Sequence, residues 1–362
     1  MRRTPALIVG GGPAGATLAL RLARAGLPHL LVERSRETGD ALCGGFLSWR
    51  TLALLERLGI AGEALNPAAV TRVRLFAAGC MAEAPLPRPA RAVSRLRLDT
   101  LLLAAAEQAG AAVERGIAVR GIDGDTARLA DCASIAGDAV FLASGKHDLR
   151  GLARPPAARG TDPTIGLRVR LAAGSALERC VGDAIELHLF DRGYAGLVRQ
   201  EDGSGNLCLA VHRSRLVEAG DPERLLLALA EHSPALADRL ACRAPGSPVD
   251  AVANVPYGWR ATTGAAGLFR LGDQAAVIPS LAGEGMAIAL ASSVAAAEAY
   301  IAGGPGAAEA FQARFAARAR RPLAIASLAW RLAERPAPAQ IATRLARMMP
   351  GTLPLLARLT RI

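Results

Sequence analysis

The sequence predicts an α/β fold in which a parallel-sheet domain carries an inserted antiparallel sheet and is followed by a helical C-terminal region. Three observations predict it. Residues 6–33 read as strand, glycine turn, helix, strand. Residues 164–211 change to alternating apolar and polar positions, the period-2 pattern of half-exposed strands. A strand leading into Gly272-Asp273, about 260 residues after the first glycines, then returns to the style of the opening segment.

The first strand, residues 6–9, is a short apolar run suited to a fully buried parallel strand. Gly10-Gly11-Gly12-Pro13-Ala14-Gly15 follows, then a helix over 16–25 ending at Gly26, then a strand over 30–33. This context makes the glycines a dinucleotide-binding turn. Gly10 allows the tight turn, Gly12 lets backbone approach a pyrophosphate, and Gly15 lets helix and strand pack closely. Pro13 and Ala14 belong to the cofactor-binding turn before the helix, whose free N–H groups and positive dipole end face the phosphates. Glu33, about 20 residues on, is placed to accept from a ribose and disfavours a 2′-phosphate. Arg34 follows it.

A glycine-containing loop over 36–50 includes Cys43-Gly44-Gly45. A helix is expected over 49–58, a strand over 72–78, a loop at Pro85, Pro87 and Pro89, and a helix over 100–109 before Gly110. Short strands follow at 113–116 and 127–129, with a buried one at 139–143 that ends at Ser144-Gly145-Lys146-His147, His147 being expected at the surface. The inserted sheet takes strands 164–171, 184–190, 194–199 and 207–211, the last two joined by a Glu201-to-Gly205 turn. Helices near 223–241 complete it, and the chain returns through Tyr257-Gly258-Trp259. The expected division is 1–153 plus 256–302, an insertion at 154–255, and helices over 303–362.

In the second motif Gly272 gives close backbone approach and Asp273 a carboxylate for a ribityl hydroxyl. The Gly283-Glu284-Gly285-Met286 loop opens an Ala-rich helix whose N-terminus suits an anionic ring. One glycine loop says dinucleotide; the two in this order say FAD.

Composition bounds the rest. The 362 residues can bury a large core, and no apolar run is expected to span a bilayer. The six cysteines contain no C-x-x-C pair, against zinc and disulfides and for a reducing cytoplasm. Met1-Arg2-Arg3 mimics the start of a signal peptide, but the glycines interrupt the apolar run. The net charge of +11 is almost all arginine, Lys146 being the only lysine. No basic patch interleaved with aromatics points to nucleic acid.

These motifs resemble a superfamily of FAD-dependent oxidoreductases: hydroxylases of the para-hydroxybenzoate type, flavin-dependent halogenases and geranylgeranyl reductases. Four blocks carry the resemblance: the first glycine loop with Glu33, Arg95-x-x-x-Asp99, Ser144-Gly145, and Gly272-Asp273 through Gly285. Cys43-Gly44-Gly45 and Gly283-Glu284-Gly285-Met286 look most like the geranylgeranyl reductase branch. The resemblance implies a glutathione-reductase-type FAD-binding Rossmann-like domain, with Arg95 and the Cys43 loop near the cofactor. It implies NAD(P)H or an external reductant as electron donor. It also implies a substrate pocket between the inserted sheet and the flavin.

The departures steer the chemistry. Ser144-Gly145 stands where hydroxylases carry Asp-Gly. Where reductases carry Tyr-x-Trp-x-Phe-Pro, this chain has Tyr194-Ala195-Gly196-Leu197-Val198-Arg199, keeping the Tyr alone. Tyr257-Gly258-Trp259 only partly echoes the halogenase Trp-x-Trp. The preferred expectation is a monooxygenase that hydroxylates a hydrophobic aromatic or polyketide-like molecule through a flavin hydroperoxide. Alternatives are a reductase of alkenes in a prenyl or lipid substrate, then a halogenase or a non-catalytic flavin-binding protein. Cys43 and Tyr194 are candidate catalytic residues; His188, Tyr257 and Trp259 are candidate substrate contacts. Arginine-rich amphipathic segments near the C-terminus are expected to touch the inner face of the membrane peripherally.

Overall fold

The computed structural model describes residues 2–244 and 246–362. Its first sheet is built on five parallel strands. In space they run Ala112–Arg115, Leu30–Glu33, Arg2–Val9, Ser134–Leu142, Leu268–Arg270. In chain order that is third, second, first, fourth, fifth, so the winding reverses between Arg2–Val9 and Ser134–Leu142. Open α/β sheets bind ligands at the carboxyl ends of the strands at such a reversal. Gly10 and Ala143 leave the two strands there, so close that a Cβ on Gly10 would sit 2.6 Å from the Ala143 carbonyl oxygen.

Two further strands, Val119–Asp123 and Thr126–Leu129, form a meander with the first half of Ser134–Leu142. They cover one face of the sheet through Ile122, Ala127 and Leu129 against Leu7, Val32 and Val140. Helices Pro13–Arg24, Arg95–Gln108, Gly285–Gly303 and Ala308–Ala333 cover the other. Aromatic rings meet in this core: Phe141 stacks on Phe269 at 4.6 Å, and Phe311 lies 5.5 Å from Phe269. Each fully buried Phe or Leu contributes about 1.5–3 kcal/mol relative to exposure.

The second sheet has eight strands, ordered Asp250–Val255, Thr164–Leu171, Gly205–His212, Gly193–Arg199, Ala184–Phe190, Val70–Ala77, Cys80–Ala92, Phe46–Leu47. All neighbours are antiparallel except Ala184–Phe190 with Val70–Ala77. Three of the eight strands thus come from 46–92, outside the expected insertion at 154–255. Leu167, Leu197, Leu207 and Leu209 on one face pack against Leu177, Leu225, Leu229 and Leu236 of three covering helices. The opposite face looks toward the first domain.

Other expectations are corrected. The helix expected from Thr100 begins at Arg95, because Ser94 caps it, its Oγ accepting from the Arg97 N–H at 3.1 Å. The prolines at 85, 87 and 89 lie inside the strand Cys80–Ala92 rather than in a loop. Spaced by two, they withhold their missing N–H groups from one side of the strand only. Finally, the helical stretch Gly285–Ala333 does hold a window apolar and long enough to span a bilayer, 61% of it buried within the fold.

Candidate active site

A cavity of about 1070 Å³ lies between the two sheets. Its first part is lined by Gly10, Gly11, Gly12, Pro13, Ala14, Glu33, Arg34, Arg95, Gly145, Gly272 and Asp273. The Pro13–Arg24 helix starts at Gly12 with no side-chain cap and no acidic residue in its first turn. Its leading N–H groups are therefore free for an anion. Arg95 adds a fixed charge beside them, its Nη2 standing 3.3 Å from where a Gly12 Cβ would be. Asp99, one turn on, grips Arg95 through two bonds of 2.9 and 2.7 Å. Burial works against the Arg95 charge, and the Asp99 carboxylate more than offsets it, holding the guanidinium pKa above its ordinary value.

Glu33 accepts from the N–H of Gly11 at 2.6 Å and of Ser35 at 2.9 Å, which fixes its carboxylate at the turn. Gly15 does not line the cavity. It serves packing, since a Cβ there would lie 1.8 Å from the Gly10 carbonyl oxygen. At the rim Arg34 Nη2 meets His147 Nε2 at 3.0 Å, and burial with the neighbouring cations lowers the His147 pKa. Lys146 lies 3.8 Å from Asp273.

The second part of the cavity is bounded by Cys43, Gly44, Gly45, Gly283, Gly285 and Met286. Gly45 and Gly283 have φ of +74° and +66°, and a Cβ on Gly283 would press to 2.9 Å from the Phe46 ring. The Gly285–Gly303 helix, like the first, starts without a side-chain cap. Two uncapped helix starts, a carboxylate at a ribose position and glycines where backbone crowds the cavity form a cradle that fits FAD.

The third part is apolar. Val73, Leu75, Leu86, Ile185, Leu187, Leu189 and Val198 of the second sheet face Leu281, Ile325, Leu328, Leu332, Leu353 and Leu356. Its polar groups converge at one corner. Tyr194 Oη donates to Ser280 Oγ at 2.7 Å, and Tyr257 Oη bonds the same oxygen. Three hydroxyls making two bonds leave one O–H uncommitted. Burial raises both phenols, Tyr194 well above its ordinary value and Tyr257 to about 12. They act as neutral donors at neutral pH. Trp330 braces them from behind, edge-on at 5.6 Å to Tyr194 and 5.9 Å to Tyr257.

Cys43 presents its backbone as well as its side chain. Its carbonyl oxygen accepts from Asn206 Nδ2 at 2.8 Å and from the Cys208 thiol at 3.2 Å, tying the loop to the second sheet. Burial pushes the Cys208 thiol up to about 12.

Two expected substrate contacts lie elsewhere. His188 shares its strand with Leu187 and Leu189, and alternation turns it to the opposite face. There it stacks on Phe76 at 4.4 Å and meets Glu186 at 3.3 Å. Glu186 is also held by Arg239 and Arg74. Trp259 is absent from the cavity wall and lies under the Arg154 guanidinium at 5.6 Å.

Three features of the site carry no signal of their own in the sequence. Ser280 sits just before the second glycine loop, with nothing in the sequence marking it. The helices over 325–361 form a cavity wall. Glu284, fully buried at the start of the Gly285–Gly303 helix, pairs with Arg361, which lies over Trp49 at 4.9 Å.

Residues 3–133 match the model of the FAD binding domain family. A menaquinone reductase of Mycolicibacterium smegmatis is 31% identical over 169 residues, 45% of this chain and 39% of that protein. The chain thus matches about two fifths of that relative's length. PqsL of P. aeruginosa, solved in complex with 2-aminobenzoylacetate, superposes with a TM-score of 0.74 at 18% identity, covering 93% of this chain and 98% of its own. A geranylgeranyl bacteriochlorophyll reductase-like protein of Thermoplasma acidophilum gives 0.68 at 20% identity, covering 99% and 92%. At these identities the structures establish the shared fold.

Proposed function

We infer that this chain, a flavoprotein of the FAD-dependent oxidoreductase superfamily, is a monooxygenase that hydroxylates a lipophilic aromatic or polyketide-like molecule bearing a hydroxyl group. The observation that carries the reading is the Tyr194–Ser280–Tyr257 trio at the end of an otherwise apolar chamber. FAD, when bound, supplies the redox chemistry, with oxygen as co-substrate and NAD(P)H or an external reductant as the electron source.

The chain's own residues bind and orient. The free O–H of the trio donates to a hydroxyl or carbonyl on the substrate's polar end. The raised phenol pKa values keep that donor protonated, so the trio positions rather than removes a proton. Among the described residues no carboxylate or imidazole lines the apolar part, so its walls select by shape and dryness. Residues of the helices over 325–361 form the wall opposite the sheet.

The match to a menaquinone reductase and the fold shared with the geranylgeranyl bacteriochlorophyll reductase-like protein favour a second reading, reduction of a quinone or alkene in a lipid substrate. One experiment separates them. FAD-loaded protein, reduced anaerobically, is given isotopically labelled oxygen and a panel of alkyl phenols, and in parallel a short-chain naphthoquinone under argon. Labelled oxygen in a phenolic product supports hydroxylation; quinone-dependent reoxidation under argon without any labelled product replaces it with reduction. Tyr194→Phe and Ser280→Ala are expected to lower kcat/KM about five- to fiftyfold on the accepted substrate, the worth of one buried hydrogen bond. Unchanged kinetics in both would remove the trio from the site.

A further inference from the structure

We propose that the helices over 328–359 dock on an anionic lipid surface, with the mouth of the apolar chamber opening into it. One of these helices has an inverted pattern. In Pro336–Met348 the buried residues are Ala339, Thr343 and Ala346. At about 100° per residue these share one face, and Ile341, Leu345 and Met348 share the opposite one. Small residues pack inward while the large aliphatics stand in water, 57, 50 and 77% exposed. An ordinary surface helix does the reverse.

The stripe is part of a larger patch. Of the fourteen exposed large hydrophobic residues among the described residues, nine lie in 328–359: these three with Leu328, Leu332, Met349, Leu355, Leu356 and Leu359. Exposed aliphatics concentrated in this way mark an interaction site. Its charge selects the partner. Arg331, Arg335, Arg344, Arg347 and Arg358 are exposed and have no carboxylate partner among the described residues. The single acid of the segment, Glu334, is taken by His212 at 2.8 Å. Aliphatics fringed by unpaired arginines fit a bilayer carrying anionic headgroups. A second copy of this chain would bring its own arginines against these.

The patch is also continuous with the chamber. Leu328, Leu332 and Leu356 line the cavity that holds the Tyr194 corner and are exposed at the surface, so its apolar wall reaches the outside. A lipophilic substrate reaches the site from the membrane without crossing water. This access route rests on the proposed lipophilic substrate; the docking rests on the surface alone.

The test uses the full FAD-loaded chain and no turnover, so failure of the proposed reaction and failure of docking are read separately. Flotation is measured with phosphatidylcholine vesicles, with and without phosphatidylglycerol, at low and high salt. The wild type is expected to float with the anionic vesicles and to be released by salt. The triple variant Ile341→Ser, Leu345→Ser, Met348→Ser alters only the outward face. It is expected to lose binding at least about tenfold. Arg344→Glu with Arg347→Glu is expected to abolish the preference for phosphatidylglycerol. Retained flavin absorbance confirms folding. Absence of the wild type from the floating fraction overturns the proposal. So does a wild-type dimer by light scattering that the triple variant dissolves while vesicle binding is nil.

Discussion

Replacing Arg361 by alanine is expected to cost about 3–5 kcal/mol, the price of stranding one member of a buried ion pair. Glu284 has no exposed surface and the Arg361 side chain only 4%. Arg361 also donates to the Ala282 carbonyl at 3.1 Å. In its absence the carboxylate keeps only weak support, the Ile362 N–H at 3.4 Å among it. Burial already holds the Glu284 pKa above its ordinary value despite the arginine. Removing Arg361 raises it further. A carboxyl raised in the folded state favours the protonated form. Stability is then highest below the unfolded value of about 4.3 and falls as pH rises toward the folded one. The deficit of Arg361→Ala should therefore be small near about pH 5 and large near about pH 8. Adding Glu284→Gln removes the charge and should restore most of the loss and erase its pH dependence. Urea unfolding followed by tryptophan fluorescence, with Trp49 beside the pair, gives the values. A deficit below about 1 kcal/mol, or one equal at both pH values, would refute the stranded-charge argument.

Gly15→Ala places a methyl group 1.8 Å from the Gly10 carbonyl oxygen, so the turn and helix must part. The purified protein should carry roughly a tenth or less of the wild-type flavin by visible absorbance. His212, bonded to Glu334 at 2.8 Å and to the Asp162 carbonyl at 2.9 Å, has a raised pKa, Glu334 being the main cause. Its contribution is complete below about pH 6.5 and is lost as pH rises through the folded pKa. His212→Gln should flatten that alkaline decline, an effect under about 1 kcal/mol for a partly exposed pair, measured by thermal midpoints across pH.

The parallel half of the fold was legible because its signals are local. A buried strand, glycines at fixed offsets and a helix stop lie within thirty-odd residues of one another, and each restricts the backbone directly. The residues expected at the cofactor line one cavity, except Gly15, which packs the turn against its helix. The substrate chamber was not legible to the same degree. Alternation says that His188 and Leu187 face opposite ways but not which of them faces the cofactor. Trp259 and Trp330 are equal in sequence, yet only Trp330 is carried by its helix against the tyrosines. The three prolines of Cys80–Ala92 read as a loop because proline usually breaks a ladder, and their spacing by two is what let the strand survive. Glu284 was read as part of a glycine loop. Nothing in its neighbourhood points to a partner 77 residues away.

The second sheet draws Phe46–Leu47, Val70–Ala77 and Cys80–Ala92 from before the region that supplies its other five strands. Excising 154–255 would strip Val70–Ala77 of Ala184–Phe190 and expose a raw strand edge on the remainder. The chain is therefore not assembled from a cofactor cassette and a substrate cassette. Specificity transplanted from a relative must move 46–92 and 164–255 as one unit. Single-block grafts at 154–255 should yield aggregates, not altered selectivity.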